Sequence, residues 1–462
     1  MAMQSRKDLL HAHRLMTQRA ALALLRGEPD VPDQPLRRLN VGTFAGILVG
    51  VIVAGIFGIW GLLFHGAPSL QFQPGTLIRD KQTGANYVFC ESGDKDICPV
   101  VNYASALLDL QSGTVTVQSV NQSSLSSVPQ GPLIGIPGLP PDLPTSGQMI
   151  EQPWSVCTQT SFGVAGIVGG VKTTTVLAAG FQPGGQSIGS TGLLLVSSGS
   201  GQDWVIGNGL RMPIQPGTMA DLFSSASPVS VPSAWLNAIP QGNFFQAPTI
   251  TDQGTPVTGP TGATVPIGTL YQVTGAGTRY YVTVQGGDLA SISQTQEALI
   301  AAEPGESAPQ SLEASELNDR VASPLPSNGL PATETDVVAA QASAPLCVVF
   351  SGSGPALSMQ VETGGQAPPS GTPTSSSATS NLVDEVSQPT DTGALVQETG
   401  SSTSYILVTD GHRYALESKS VIGFLGYSTS QVVQLPAGVV DLIPAGPGFN
   451  PAQASNPVSS AG

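Results

Sequence analysis

The sequence predicts an α+β protein with an N-terminal amphipathic helix, one transmembrane helix, and a long outer region that combines a central β-rich core with four hairpin-plus-helix repeats. Three observations support this fold class. One uncharged apolar run, Leu39 to Phe64, is long enough to cross about 30 Å of hydrocarbon. Tight-turn sequences recur between β-branched or aromatic runs, and an apolar segment that ends at a glycine follows each of them. The 55 Gly and 39 Pro, with 10% charged residues, are typical of a loop-rich, β-biased chain.

Residues 6–26 place apolar side chains at helical spacing, and the pattern stops at Gly27 and Pro29. This predicts an amphipathic helix, followed by a linker, within residues 1–39. A helix that lies on the membrane surface and a helix that docks a cytoplasmic partner are both consistent with the pattern.

The membrane helix is predicted over residues 40–64. The lead of about forty residues and the length of the apolar run distinguish it from a cleaved signal peptide, so we predict a retained anchor. Residues 1–40 carry a net charge of +3, and since the whole chain carries −15, the remainder carries −18. Basic residues before the helix predict a cytoplasmic N-terminus and an outer C-terminal region. An outer region this acidic does not favour nucleic-acid binding.

Small residues recur at every fourth position of the membrane helix. They are Gly42, Gly46, Gly50, Ala54 and Gly58. This spacing gathers them into one stripe where another helix backbone can approach closely, although glycine is also common in membrane helices. We predict helix packing along this stripe.

All four cysteines follow the membrane helix, on the side where disulfides persist. Cys90 and Cys98 flank a short segment and are predicted to close a local loop. Cys157 and Cys347 are then left to pair with each other, which would join distant parts of the chain. Metal binding is the competing interpretation, but the chain has no CxxC and only 4 His.

Four turn sequences resemble one another. They are KQTGANYVFC, IGNGLRMPI, TGAGTRYYVTV and TDGHRYAL, and the last three are followed at one matching place by Arg211, Arg279 and Arg413. The apolar segments ALLDLQSG, AWLNAIPQG, ALIAAEPG and GVVDLIPAG end 29, 35, 28 and 35 residues after the turn glycines. A unit of hairpin plus helix is therefore predicted to repeat in residues 65–113, 201–245, 246–305 and 404–446.

The stretches between these repeats, residues 114–200 and 306–403, contain strand-like apolar runs and one long-range cysteine each. We predict that they form the central β-rich core together. Residues 366–404 are dominated by Ser, Thr, Pro and Gly, which predicts a mobile low-complexity loop, and residues 447–462 predict an extended tail.

Two residues invite a catalytic interpretation. His412 belongs to a repeated turn in which Leu210 and Thr278 stand at matching positions, so the pattern favours a structural role. Ser187 lies in GQSIG, which matches GxSxG, yet a strand-like run rather than a helix follows it. The motif GIVGGVKT, residues 166–173, lacks the glycine that a phosphate-binding loop has before its lysine. The sequence predicts no catalytic residue, no cofactor and no metal site.

The N-terminal residues carry a family resemblance, in SR at 5–6, AHR at 12–14, PD at 29–30, PLRR at 35–38, Arg19 and Arg26. The segments WLNAIPQG, LIAAEPG, VVDLIPAGP, WSVC and PLCVVF extend it along nearly the whole chain. On these residues the sequence resembles the EccB family, component B of the type VII (ESX) secretion systems of mycobacteria and related actinobacteria. The resemblance implies a single-pass subunit of the bacterial inner membrane with an elongated periplasmic region, in which a core is combined with four repeats.

The resemblance also implies partners: the EccC motor ATPase, EccD, EccE and other EccB copies, within a large membrane complex in which the chain forms a homo-oligomer. Cytoplasmic docking is implied for Arg6, His13, Arg14, Arg19 and Arg26. ATP hydrolysis has been ascribed to some members of the family. In this chain the phosphate-binding glycine is missing, which does not favour ATP hydrolysis. The prediction is thus a structural and organising subunit for protein export. The alternatives are a periplasmic enzyme, either a weak ATPase or an envelope hydrolase, and a cell-wall-binding module.

Overall fold

The computed structural model divides the chain into two compact parts, residues 1–70 and 71–462. It describes residues 6–27, 35–64, 70, 73, 75–90, 96–161, 172–275, 277–317, 320–333, 336–341, 343–352, 357–375 and 381–458. The first part consists of helices α1 (Arg6–Arg26) and α2 (Pro35–Phe64), and α1 coincides with the predicted amphipathic helix. Within α2, Leu39–Gly61 is long and apolar enough to cross a membrane. A proline suits the start of a helix because the first N–H groups have no partner there.

The second part combines short helices with many strands. The helices are α3 (Tyr103–Leu110), α4 (Gln122–Leu125), α5 (Pro216–Phe223), α6 (Ser233–Asn237), α7 (Gln294–Ala301), α8 (Lys419–Phe424), α9 (Ala437–Val440) and α10 (Pro451–Ala454). The strands of its first half are β1 (Thr76–Asp80), β2 (Asn86–Phe89), β3 (Ile97–Val100), β4 (Thr116–Val120), β5 (Trp154–Ser161), β6 (Lys172–Ala179), β7 (Gln186–Ser187), β8 (Gly192–Ser198), β9 (Asp203–Gly207), β10 (Leu210–Pro213), β11 (Val229–Val231), β12 (Pro256–Thr258) and β13 (Thr264–Pro266). The strands of its second half are β14 (Leu270–Thr274), β15 (Thr278–Thr283), β16 (Leu289–Ile292), β17 (Gln310–Ser311), β18 (Val321–Ala322), β19 (Asp336–Val337), β20 (Leu346–Ser351), β21 (Ser358–Thr363), β22 (Thr372–Pro373), β23 (Glu385–Ser387), β24 (Gly393–Glu398), β25 (Tyr405–Thr409), β26 (His412–Leu416) and β27 (Val432–Leu435).

Four small sheets share one strand order. Sheet I is β3-β2-β1-β4, sheet II contains β10-β9-β8-β11, sheet III contains β16-β15-β14-β17, and sheet IV is β26-β25-β24-β27. A fifth strand adds to two of them, since β19 pairs with β8 in sheet II and β18 pairs with β16 in sheet III. In each sheet three antiparallel strands are followed by a fourth strand that lies parallel to the first. A tight hairpin cannot connect parallel neighbours, so a crossover is required. The helices α3, α5, α7 and α8 lie on these four crossovers.

The helical segments that were aligned from the sequence do not all occupy one position. ALLDLQSG and ALIAAEPG supply α3 and α7, which precede the fourth strand of their sheets. AWLNAIPQG and GVVDLIPAG supply α6 and α9, which follow the fourth strand. The predicted equivalence of the four segments is therefore wrong.

The core sheet has seven strands in the order β22-β23-β6-β5-β20-β21-β7. It draws strands from both stretches that were predicted to form a core. Cys157 on β5 lies opposite Cys347 on β20, and the two form a disulfide; the second disulfide joins Cys90 and Cys98. These are the pairs that the sequence predicts. Strands β22, β23 and β24 lie within residues 366–404, so this stretch contributes to two sheets, whereas the prediction was one loop.

Shared apolar clusters join the sheets of the second part. One apolar cluster contains side chains of the core sheet, of sheet II and of sheet IV. Trp235 of α6 and Leu442, which follows α9, are buried in it. A second cluster joins sheet I to sheet IV and contains Phe449. A third joins α5 of sheet II to α7 of sheet III through Phe223 and Leu299. The order of contact is therefore sheet I, sheet IV, core, sheet II, sheet III.

The C-terminal segment is packed, in contrast to the extended tail that the sequence predicts. Phe449 is fully buried, and α10 lies against α3. The Ser455 hydroxyl donates a hydrogen bond to the Asp109 carboxylate at 2.7 Å, and the Val458 N–H donates to the Leu133 carbonyl at 2.8 Å. Residues 447–458 therefore form a strap that connects sheets I and IV.

Candidate functional site

His412 lies directly after the two-residue turn between β25 and β26. Asp410 and Gly411 have φ angles of 52° and 75°, which is the left-handed backbone that such hairpin turns require. The corresponding turn of sheet II has the same conformation at Asn208 and Gly209, with φ angles of 50° and 73°. Nδ1 of His412 lies 3.0 Å from the carbonyl oxygen of Asp410, so the ring serves the turn itself.

The other two turn sequences belong to a different hairpin. KQTGANYVFC connects β1 to β2 and TGAGTRYYVTV connects β14 to β15, so both join a first strand to a second. Arg211 and Arg413 stand on third strands, whereas Arg279 stands on a second strand. The predicted match of Arg279 with the other two arginines is therefore wrong.

Ser187 lies on β7, at the edge of the core sheet, and its side chain is exposed. Its hydroxyl oxygen accepts the Gly189 N–H at 3.1 Å. A nucleophile elbow places its serine between a strand and a helix, but the next element here is strand β8. Among the described residues no hydrogen bond joins Ser187 to His412, which stands in sheet IV.

Residues 166–171 of the phosphate-loop-like motif lie outside the described residues. Lys172 and Thr173 belong to strand β6, whereas the lysine of a phosphate-binding loop leads into a helix. Within the described part of the chain, no group of three His, Cys, Asp or Glu residues is placed to hold a metal ion.

Two arginines on equivalent third strands have equivalent partners. Nη1 of Arg413 lies 2.8 Å from the Asp441 carboxylate, just beyond α9. Nη1 of Arg211 donates to the amide oxygen of Asn237, the last residue of α6, at 2.6 Å. Neither partner was predicted from the sequence, although aligning WLNAIPQG with VVDLIPAG places Asn237 and Asp441 at the same position.

A cavity of about 670 Å3 lies beside Arg211, between sheet II and the core sheet. The guanidinium carbon of Arg211 is 5.3 Å from the centre of the Trp204 ring, a cation–π distance. Burial lowers the pKa of Arg211, since removal from water disfavours its charged form. Asp384 lies on another wall, and its carboxylate accepts the Thr175 N–H at 2.8 Å.

Two other polar groups have shifted pKa values for structural reasons. The Thr83 hydroxyl donates to the Asp80 carboxylate at 2.6 Å and, with the Gln82 N–H, lowers the pKa of Asp80. Burial raises the pKa of Tyr427, whose hydroxyl donates to the Pro144 carbonyl at 2.8 Å. Both groups fix loops and neither lines the cavity.

The residues predicted for docking and membrane packing lie in the first part of the chain. Arg6, His13, Arg14 and Arg19 are exposed on α1, and Arg26 is its last residue. Gly42, Gly46, Gly50 and Gly58 lie on α2, and a Cβ atom added at any of these glycines would meet no atom within 4 Å. Ala54 belongs to the same helix. The helix surface at these glycines is thus open to contact with another helix.

Comparison with known proteins gives one consistent result. The model of the family described as type VII secretion system ESX-1, transport TM domain B, matches residues 2–458. The ESX-5 secretion system ATPase EccB5 of Mycobacterium tuberculosis H37Rv is 29% identical over 276 residues, which cover 58% of this chain and 52% of that protein. The ESX-3 secretion system ATPase EccB3 of the same strain is 28% identical over 274 residues, 56% of this chain and 47% of that protein. The chain thus spans about half the length of these relatives.

Solved structures share the fold. A chain of the intact ESX-5 inner membrane complex has a TM-score of 0.63 at 24% identity, over 100% of this chain and 97% of that chain. A chain of the periplasmic assembly from the ESX-5 inner membrane complex has a TM-score of 0.64 at 25% identity, over 87% and 97%. The EccB3 dimer from the ESX-3 core complex gives 0.65 at 24% identity, over 82% and 99%.

Proposed function

The chain belongs to the EccB family of type VII secretion systems, and on this premise we propose that it is a structural and organising subunit of an inner-membrane secretion complex. The observation that carries the proposal is the extent of the family match, from residue 2 to residue 458, which includes the membrane helix and the outer sheets. Ser187 and His412, the two candidates for a catalytic role, are also consistent with a structural subunit, because the polar contacts of both side chains go to backbone atoms two residues away.

We propose further that sheets I to IV are four internal repeats. Besides the shared strand order, one residue on each third strand pairs in parallel with a segment beyond the fourth strand. These pairs are Ile97 with Gln130, Arg211 with Gln241, Leu289 with Val321, and Arg413 with Ala445. The repeats would then run over residues 76–131, 192–242, 270–322 and 393–446.

The proposed orientation places α1 in the cytoplasm and residues 71–462 in the periplasm, in keeping with the basic N-terminal residues and the acidic remainder. The proposed partners are the EccC motor ATPase, EccD, EccE and other EccB copies. The exposed residues Arg6, His13, Arg14 and Arg19, together with Arg26, would dock cytoplasmic partners. The stripe from Gly42 to Gly58 would pack against neighbouring membrane helices.

The relatives carry the word ATPase in their names. We propose that this chain does not hydrolyse ATP, because Lys172 lies on a strand and the glycine before it is replaced by Val171. The purified full chain should release phosphate from ATP no faster than its Lys172→Ala variant. Saturable hydrolysis that the variant abolishes would contradict this part of the proposal.

The main experiment extracts the tagged full chain gently from the membranes of its own host and determines the mass and subunit composition of the particle. A large particle that contains an ATPase and a multispanning protein is expected. A lone monomer or small homodimer, reproduced in several detergents, would refute the assignment.

Matched variants in the same preparation test whether a neighbouring helix packs against the stripe. Gly50→Leu should remove the close approach of a neighbouring helix and reduce the yield of the large particle. Gly55→Leu is the control, because Gly55 lies off the stripe and is equally open within the chain. Equal loss of the particle in both variants would argue against a specific packing face.

A further inference from the structure

The cavity beside Arg211 differs in charge from the corresponding place in sheet IV. There, the Asp441 carboxylate contacts the Arg413 guanidinium at 2.8 Å and balances its charge. At the equivalent position in sheet II stands Asn237, whose amide oxygen accepts a hydrogen bond from Arg211 at 2.6 Å but carries no charge. The chain thus contains two versions of one arrangement, and in the version next to the cavity no carboxylate pairs with the arginine.

Asp384 also lines the cavity, but its carboxylate accepts the Thr175 N–H at 2.8 Å and forms no ion pair with Arg211. No carboxylate among the described residues lies within ion-pair distance of Arg211. The stretches 162–171 and 376–380, which border the cavity in the sequence, contain neither Asp nor Glu. A half-buried guanidinium that keeps its charge is stabilised by a carboxylate or a phosphate, since either can bind it through two parallel hydrogen bonds.

The cavity is larger than a carboxylate group alone requires. Its volume of about 670 Å3 falls within the usual range of about 300 to 1,000 Å3 for ligand pockets. Pro232, Leu236 and Leu382 give it an apolar wall, and Ser200 and Ser233 add hydroxyl groups. Apolar and hydrogen-bonding surface in one site suits a peptide better than a free inorganic anion.

We propose that this cavity binds a carboxylate of a peptide, with Arg211 as the charged contact and Asn237 as the residue that orients its guanidinium. The carboxylate belongs either to an acidic side chain or to a free C-terminus, since both present the same group. The proposal concerns a peptide site on the outer region and does not depend on the partners named above.

The test is isothermal titration of the full chain in detergent with three synthetic peptides. The first is acetyl-Gly-Ala-Glu-Ala-Gly-amide, the second has Gln in place of Glu, and the third is acetyl-Gly-Ala-Gly-Ala with a free carboxylate. Saturable binding of the first or the third, but not of the second, is expected. Which of the two binds identifies the source of the carboxylate.

Three variants make the test specific. Asn237→Asp copies the pair of sheet IV, so the protein's own carboxylate should occupy Arg211 and weaken peptide binding by about tenfold or more. The fold should be retained, which an unchanged or raised melting temperature would verify. Arg211→Gln should weaken binding to the same degree, and Arg279→Gln, an exposed arginine on β15, should not.

Several results would overturn the proposal. They are the absence of saturable binding by either acidic peptide, equal binding by the Gln peptide, and full binding by a stably folded Asn237→Asp protein. Inorganic phosphate that binds as tightly as the acidic peptides would also overturn it, because the site would then be a general anion site.

Discussion

His412 illustrates, at the residue scale, how a chemically suggestive side chain can belong to a turn. His412→Ala should change the free energy of unfolding by less than about 0.5 kcal/mol and leave secretion near the wild-type level, because the ring contacts its own turn. Complementation of a deletion strain and urea unfolding of the full chain in detergent measure the two effects.

The neighbouring Gly411→Ala provides the control. Gly411 has a φ angle of 75°, and a Cβ atom there would lie 2.9 Å from Cβ of Thr372. This variant should lose about 1 to 3 kcal/mol of stability, since alanine disfavours that backbone and the space is filled. A secretion defect in a stably folded His412→Ala protein would instead support catalysis.

The raised pKa of Tyr427 predicts that the folded protein loses stability at alkaline pH. Its pKa is raised by burial, so the folded state holds the phenolic proton more tightly than the unfolded state, whose pKa is about 10. The resulting stability is fully present below pH 10 and declines as the pH rises above that value. Burial raises the pKa of Tyr271 and Tyr414 too, so the wild type should lose stability steeply there.

Tyr427→Phe separates this residue from the other two. At pH 8 the variant should be less stable by about 1 kcal/mol, because it lacks the hydrogen bond to the Pro144 carbonyl. Above pH 10 its stability should fall less steeply than that of the wild type. Urea unfolding at a series of pH values measures both, and parallel curves for the two proteins would show that folding does not change the pKa of Tyr427.

At the scale of elements, the sequence predicted the kinds of structure better than their alignment. The apolar helix and the two cysteine pairs were predicted correctly. Of the four predicted turn glycines, Gly207 lies on β9, and the turn itself is formed by Asn208 and Gly209. The helix alignment failed because α6 and α9 are followed by Gly242 and Gly446, just as α3 and α7 are followed by Gly113 and Gly305. Only pairing of the fourth strand with the first distinguishes the two positions, and this pairing is a contact between residues distant in sequence.

Arg211 and its partner were missed for the same reason. The charge difference between Asn237 and Asp441 becomes meaningful only when the two segments are known to be equivalent. The strands in residues 366–404 were missed because their few apolar residues, such as Val386 and Leu395, lie among Ser, Thr and Pro. β23 pairs with β6 of the core sheet, and β24 lies between β25 and β27 in sheet IV, so both strands depend on pairing with other strands.

The two disulfides should differ in their contribution to stability. The loop closed by Cys157 and Cys347 spans 190 residues, and that closed by Cys90 and Cys98 spans 8. Loop entropy then predicts losses of about 5 and about 2.5 kcal/mol, respectively, when each pair is replaced by alanine. Denaturant unfolding of the full chain with each double variant tests the ranking; equal losses would show that native packing, rather than loop length, sets the contribution.

At the scale of the whole molecule, the strap formed by residues 447–458 contacts both sheet I and sheet IV. Phe449 is fully buried in the cluster that joins these sheets, whereas sheet III has its own clusters around Ile267 and Tyr271. Composition could not reveal the strap, because most of its residues are Pro, Ala, Asn and Gly, and Phe449 is its only aromatic residue.

Phe449→Ala should therefore open sheets I and IV together. Removing a buried phenylalanine costs about 3 to 5 kcal/mol, and that loss should appear wherever the shared cluster is disrupted. Hydrogen exchange of the full chain should show faster exchange in α3 of sheet I and in α8 of sheet IV, with sheet III unchanged. Phe244→Ala, at a phenylalanine that is 46% exposed, is the matched control and should alter none of these amides. If α3 kept its protection while α8 lost it, sheets I and IV would be separate units, and the strap would belong to sheet IV alone.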